Sequence, residues 1–218
     1  MEITTRDVII DRAGELFLEY GYEATTMKDI ADACEISQGN ISYYFKLKQD
    51  ILLGVLEKIF RTINTDIEMF CCKVDDPMER FLTFQVTSYR ICVESESTLN
   101  LTVSASAVSE ARLSRYDMCK KSFYSYMSEV PLSFEKRDLN MTLAILWGSM
   151  DQVMTMYQSS PNDFDFPYML RFVLNAFLKL LNYSDERAKE LIEKSIINSE
   201  KIYVEVLRSY HYLNGSNK

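Results

Sequence analysis

Apolar residues recur every three or four positions along nearly all of this 218-residue chain, with only six glycines and four prolines to interrupt them. That spacing belongs to amphipathic helices, and no run of period-two alternation marks a strand. The pattern predicts an all-α fold. Residues 5–20 place Ile9, Ala13, Leu16, Phe17 and Tyr20 on one face, and Gly21 stops the helix. Thr26 opens a short helix with Asp29 as capping-box partner, and Ser37 opens another with Ile41 and Phe45 inward. A longer helix runs from about Lys48 to Phe70, with Ile51, Leu52, Val55, Ile59 and Ile63 inward. Asp75-Asp76-Pro77 is a break and restart, since proline suits the first helical position. Further helices are expected over 77–95, 97–108, 109–130 (ended by Pro131), 136–157 and 166–181, and Ser184 caps a last helix to about 210.

Composition removes several classes of function. No stretch of about 18 uncharged apolar residues occurs, so no membrane span is expected. The opening MEITTRDVII lacks the basic and apolar regions of a signal peptide, which points to the cytoplasm. The five cysteines, Cys34, Cys71, Cys72, Cys92 and Cys119, include no C-x-x-C pair. They read as reduced thiols, with the adjacent Cys71 and Cys72 as candidates for redox sensitivity. His211 is the single histidine. With no nucleophile–base motif, no phosphate loop and no metal set, the sequence predicts no catalytic residue, no metal and no cofactor, and an enzyme is not expected.

Two short helices joined by a tight turn at Cys34-Glu35-Ile36 are not stable alone. Packed between helix 5–20 and the start of the next long helix they form a three-helix unit with a helix-turn-helix. Its second helix begins Ser37-Gln38-Gly39-Asn40, small or polar residues where such a helix meets base edges in the major groove. Gln38 and Asn40 have the groups to pair with adenine, and Gly39 permits close backbone approach. Ser42, Tyr43, Tyr44 and Lys48 on one side, and Thr26 and Lys28 on the other, complete the candidate DNA-binding set.

Residues 6–56 resemble the N-terminal domain of the TetR family of bacterial regulators. The resemblance rests on Ile9 through Ala13 to Leu16-Phe17, Gly21-Tyr22, Ala24-Thr25-Thr26, Asp29-Ile30-Ala31, Ser37 to Ile41, Tyr43-Tyr44-Phe45, Lys48 and Leu52. It implies an all-helical homodimer acting on a double-stranded DNA operator, with a small-molecule effector entering the second domain to release it. Three positions depart from the pattern: Gly14 for the usual alanine, Ser42 for an aromatic residue, and Leu47 for a Ser or Thr cap.

The expected division is a helix-turn-helix domain over 1–47 and a ligand-binding and dimerisation domain over 48–218. In the second, Tyr89, Trp147, Met150, Asp151, Met154 and Tyr157 are candidates for a pocket taking a hydrophobic or amphipathic effector. Helix 166–181 is apolar around most of its circumference, so a second face is expected to meet a partner chain through Met169, Phe172, Val173, Ala176, Phe177 and Leu180. Charge argues the other way. The net charge is −8, and residues 1–50 carry five basic and ten acidic side chains. A generic basic patch is excluded. A dimeric binding module with a weak or non-functional DNA head is therefore the alternative.

Overall fold

The computed structural model describes residues 4–71, 73–128, 130 and 134–209, apart from the side chains of 62, 63, 66 and 205–209. The expectations for Ile63, Cys72, Pro131 and His211 lie outside the described residues. Among the described residues there are ten helices and no strand. In order they are α1 (Thr5–Tyr20), α2 (Met27–Ala33), α3 (Gln38–Tyr44), α4 (Lys48–Cys71), α5 (Pro77–Val93), α6 (Glu96–Ala107), α7 (Ser109–Tyr126), α8 (Lys136–Ser159), α9 (Phe166–Leu180) and α10 (Asp185–Ser209).

The helix starts follow from local chemistry. Free backbone N–H groups at an N-terminus need an acceptor, and short polar side chains supply it. Thr26 and Asp29 form the reciprocal capping box read from the sequence, as do Thr4 with Asp7 and Ser95 with Thr98. Ser37 accepts from the Asn40 amide, Asp76 from Glu79 and Ser184 from Arg187. Leu47 offers no side-chain cap to α4, but Asp50 Oδ2 accepts from its backbone N–H at 2.9 Å. The turn between α2 and α3 is a left-handed helix stop. Ile36 N donates to Ala31 O, Glu35 N donates to Asp32 O, and Glu35 takes φ 55°.

Two cores result. The head core joins Ile9, Ile10, Ala13 and Phe17 of α1 with Ile30, Ala31, Ile41 and Phe45 around the short helices. Ile51, Leu52, Val55 and Leu56 of α4 belong to the same core, as do Leu101 and Ala105 of α6. The head therefore does not end at residue 47: two seven-residue helices expose too much apolar surface for α1 alone to cover. The larger core is built on α5, buried without a break from Phe81 to Thr87 and packed against α4, α6, α7 and α10. Phe81 meets the Phe123 ring edge-on at 4.9 Å.

Periodicity misplaces some faces. Tyr20 is exposed. On α9, Val173 and Phe177 are buried in the chain's own core and Met169 packs against it, so these three are not on the free face. The outward residues are Tyr168, Phe172, Asn175, Ala176 and Leu180. An α-helix that is apolar on both sides gives no periodic signal for which side its own chain takes.

α1 and α4 approach closely at Gly54, where an added Cβ would lie 2.9 Å from Ile10 Cδ1 and 3.1 Å from Ile10 Cγ1. Gly54→Val is expected to lower the unfolding free energy by about 1–3 kcal/mol through overpacking. In the same urea titration Gly148→Ala, with nothing within 4 Å of its new methyl, is expected to be neutral or stabilising.

Candidate functional site

The face presented by α3 is made of residues the fold does not consume. Gln38, Gly39 and Asn40 are exposed, and so are Tyr43 and Tyr44, whose rings meet edge-on at 5.1 Å. Tyr43 is 80% exposed, an expensive position for an aromatic ring that only packs. A Cβ on Gly39 would meet only Ser37 Oγ, at 3.7 Å. Nothing inside the protein therefore requires glycine there. Lys28 and Lys46 are also exposed.

Other members of the expected set have structural duties. The Thr26 and Ser37 hydroxyls cap α2 and α3, and the Ser42 hydroxyl donates to Gln38 O at 3.1 Å. Lys48 requires a correction. Its ammonium lies 2.7 Å from Tyr22 O, 3.0 Å from Thr25 O and 3.3 Å from Glu23 O, above the Tyr22 ring at 4.3 Å. An ammonium has three donors, and all three have carbonyl acceptors in the α1–α2 turn. Lys48 ties α4 to that turn and is not a free cation for a phosphate. The same turn uses Gly21 at φ 87° and the buried Thr25 hydroxyl, which donates to Gly21 O at 2.8 Å. Sequence reasoning passed over Arg6, whose guanidinium lies 4.9 Å from the Phe45 ring centre at the end of α3.

In the larger domain a cavity of about 400 Å³, mouth included, lies between α4, α5, α7 and α8. Tyr89 and Trp147 line it. Met150 and Met154 do not: both are fully buried in the core behind it. Tyr157 packs on Phe166 instead, at 5.3 Å between ring centres. The stripe on α8 is thus mostly core, because the pocket is walled by several helices and only one turn of α8 reaches it. Asp151 stands behind the wall. It accepts from Ser106 at 2.9 Å and pairs with Arg115 at 3.6 Å. Arg115 itself lines the cavity, with Phe60, Gln85, Ser88, Cys92 and Cys119. A lone arginine in a charged stretch of α7 carries no sequence signal of burial, yet its side chain is only 3% exposed. A second cavity of about 440 Å³ shares Phe60, Ser88 and Cys92 with the first and reaches Leu18 of α1 and Leu101 of α6.

Among the described residues there is no metal-holding group of His, Cys, Asp or Glu, and no helix is long and apolar enough to cross a membrane. Burial pushes the Cys92 thiol and the Tyr89 hydroxyl up, and the Cys119 thiol up to about 12. These groups stay neutral near pH 7 and offer no ready thiolate.

Residues 9–55 match the family described as bacterial regulatory proteins, tetR family, so the head is a TetR-family domain. The chain is 29% identical over 106 residues to the uncharacterized HTH-type transcriptional regulator YhgD of Bacillus subtilis (strain 168), covering 47% of this chain and 52% of that one. It is 43% identical over 51 residues to the HTH-type transcriptional regulator QacR of Staphylococcus aureus (strain Mu50 / ATCC 700699), covering 23% and 27%. The matches thus span about half or less of these relatives' lengths. The whole fold is similar to that of RolR in complex with resorcinol, with TM-score 0.70 at 20% identity over 86% of this chain and 92% of that one.

Lys48→Met keeps the stem but strands three turn carbonyls. It is expected to destabilise the protein by about 1–3 kcal/mol in urea unfolding, whereas Lys46→Met is expected to change stability by less than about 0.5 kcal/mol.

Proposed function

We propose that the protein is a DNA-binding transcriptional repressor that reads a near-palindromic operator as a homodimer and is released by a small effector. The observation that carries the reading is the α3 face. Gln38, Gly39, Asn40, Tyr43 and Tyr44 are exposed on a helix that two caps and a shared core hold rigid. Gln38 and Asn40 read base edges, Tyr43 and Tyr44 reach phosphates, and Lys28 and Lys46 supply charge. Lys48 and the hydroxyls of Thr26 and Ser37 act indirectly, by fixing the turn and the helix starts.

The second copy seats on the outward face of α9, where Phe172 is 65% and Tyr168 64% exposed. Their rings lie side by side at 6.4 Å, and α10 adds the exposed Ile197 and Val204. Large apolar side chains left exposed on two neighbouring helices suit an interaction site. Two heads then meet successive major grooves about 34–36 Å apart. The effector enters the cavity beside Tyr89 and Trp147. Phe60 of α4 borders both cavities, and the second touches α1. Occupancy that displaces Phe60 is felt directly by the head, since α4 is part of its core.

The alternative, a dimeric binding module with a weak head, draws on charge. The five basic residues among the first 50 include Lys48, which the fold has spent. A mobility-shift assay on DNA upstream of the protein's own gene separates the two readings. Specific retardation supports a repressor, and its absence with a folded dimer sinks that reading.

Two variants give sharper outcomes. Gly39→Ala is expected to raise helix stability, by up to about 1 kcal/mol, while weakening DNA retardation at least tenfold by blocking close approach. Phe172→Glu is expected to give monomers in sedimentation velocity, with the circular dichroism of the helices retained.

A further inference from the structure

The cavity beside Trp147 is lined by buried polar atoms that have no partner among the described residues. Ser88 Oγ, Tyr89 Oη, Arg115 Nε and Trp147 Nε1 are all inaccessible and make no hydrogen bond among the described residues. All four residues line the cavity. Arg115 Nε and Trp147 Nε1 can only donate, and the two hydroxyls can donate as well. A ligand here is therefore asked for acceptors. Burying it without them leaves four polar groups unmet.

The surroundings also restrict charge and shape. The Arg115 guanidinium is already compensated. Its Nη1 reaches Asp151 at 3.6 Å, Ser106 Oγ at 2.9 Å and Thr102 O at 3.3 Å. A carboxylate entering beside it would place a second buried negative charge near Asp151 with no further cation to balance it. The remaining titratable liners, Tyr89, Cys92 and Cys119, are held neutral by burial. Arg115 lies 5.4 Å from the Phe60 ring centre and 5.0 Å from that of Trp147, and Tyr89 and Trp147 are 6.2 Å apart. Flat surfaces thus border the space.

We propose that this cavity binds a small neutral aromatic molecule carrying one or two hydroxyl or carbonyl oxygens, of the phenol class, in preference to an organic anion or a plain hydrocarbon. The ring lies among Phe60, Tyr89 and Trp147, and the oxygen accepts from Trp147 Nε1 and Arg115 Nε while its own hydrogen goes to Ser88 Oγ. This rests on the reading of the larger domain as the effector-binding half.

Trp147 is the chain's single tryptophan, so its emission reports on this cavity alone. Phenol, benzoate and toluene are titrated into the full-length protein and Trp147 fluorescence is followed. Phenol is expected to give a saturable change with a Kd at least tenfold below those of benzoate and toluene. Ser88→Ala, a change small enough to leave the fold intact, is expected to weaken phenol about tenfold, and Trp147→Phe to reduce the rise in Tm that phenol produces. Benzoate binding as tightly as phenol overturns the proposal in favour of an anion site. Toluene binding as tightly, or neither variant having an effect, overturns it in favour of a plain apolar pocket. No saturable change with any of the three also overturns it. The wider reading is judged separately: if phenol binds as expected but leaves DNA retardation unchanged, the ligand class stands and release by effector does not.

Discussion

Helix α4 is divided between two cores, and most of the structure depends on that division. Its first half supplies Ile51, Leu52, Val55 and Leu56 to the head, and farther along Phe60 walls both cavities. The short helices α2 and α3 have little stability of their own, so they exist only because α1 and α4 close over them. The contact at Gly54 lets α4 lie near enough to α1 to do this, and Lys48 binds its first turn to the α1–α2 connection. An element that belongs to both halves links their packing directly.

Polar groups in the two halves are treated differently. In the head they are satisfied locally. Thr25, Thr26, Ser37 and Lys48 each answer a backbone group that a turn or helix end would otherwise leave open. What remains outward on α3 is then free for an external partner. In the larger domain the balance is left incomplete. Arg115 is paired and stacked, yet its Nε and three neighbouring groups have no partner among the described residues. Buried polar atoms are usually paired, so such a cluster around a cavity points to an external ligand.

Much of the fold was legible in the sequence. The starts at Thr26, Ser37, Pro77 and Ser184 were legible because capping is a contact between positions about three apart, as at Thr26 and Asp29, whereas the boxes at Thr4 and Ser95 were passed over. Helix ends were within a few residues wherever Gly or Pro enforced them, as at Gly21 and Pro77. The last turn of α7 was the largest miss: it ends at Tyr126, although nothing before Pro131 signals a stop. The polar run on α3 was legible for the same reason as the caps. Its residues are contiguous and of types a core does not use.

The sequence by itself determined the all-helical class, the position of the helix-turn-helix and the residues on its outward face, because each depends on spacing within one or two turns. Tertiary structure alone decided three things. It spent Lys48 on the turn, where a sequence view made it a phosphate contact. It turned Val173 and Phe177 of α9 inward and left Phe172 outside. It brought Phe60, Tyr89, Arg115 and Trp147 from four helices to one cavity and set Met150 and Met154 behind it. Each outcome depends on which helix packs against which, a long-range choice that the period of a single helix cannot encode.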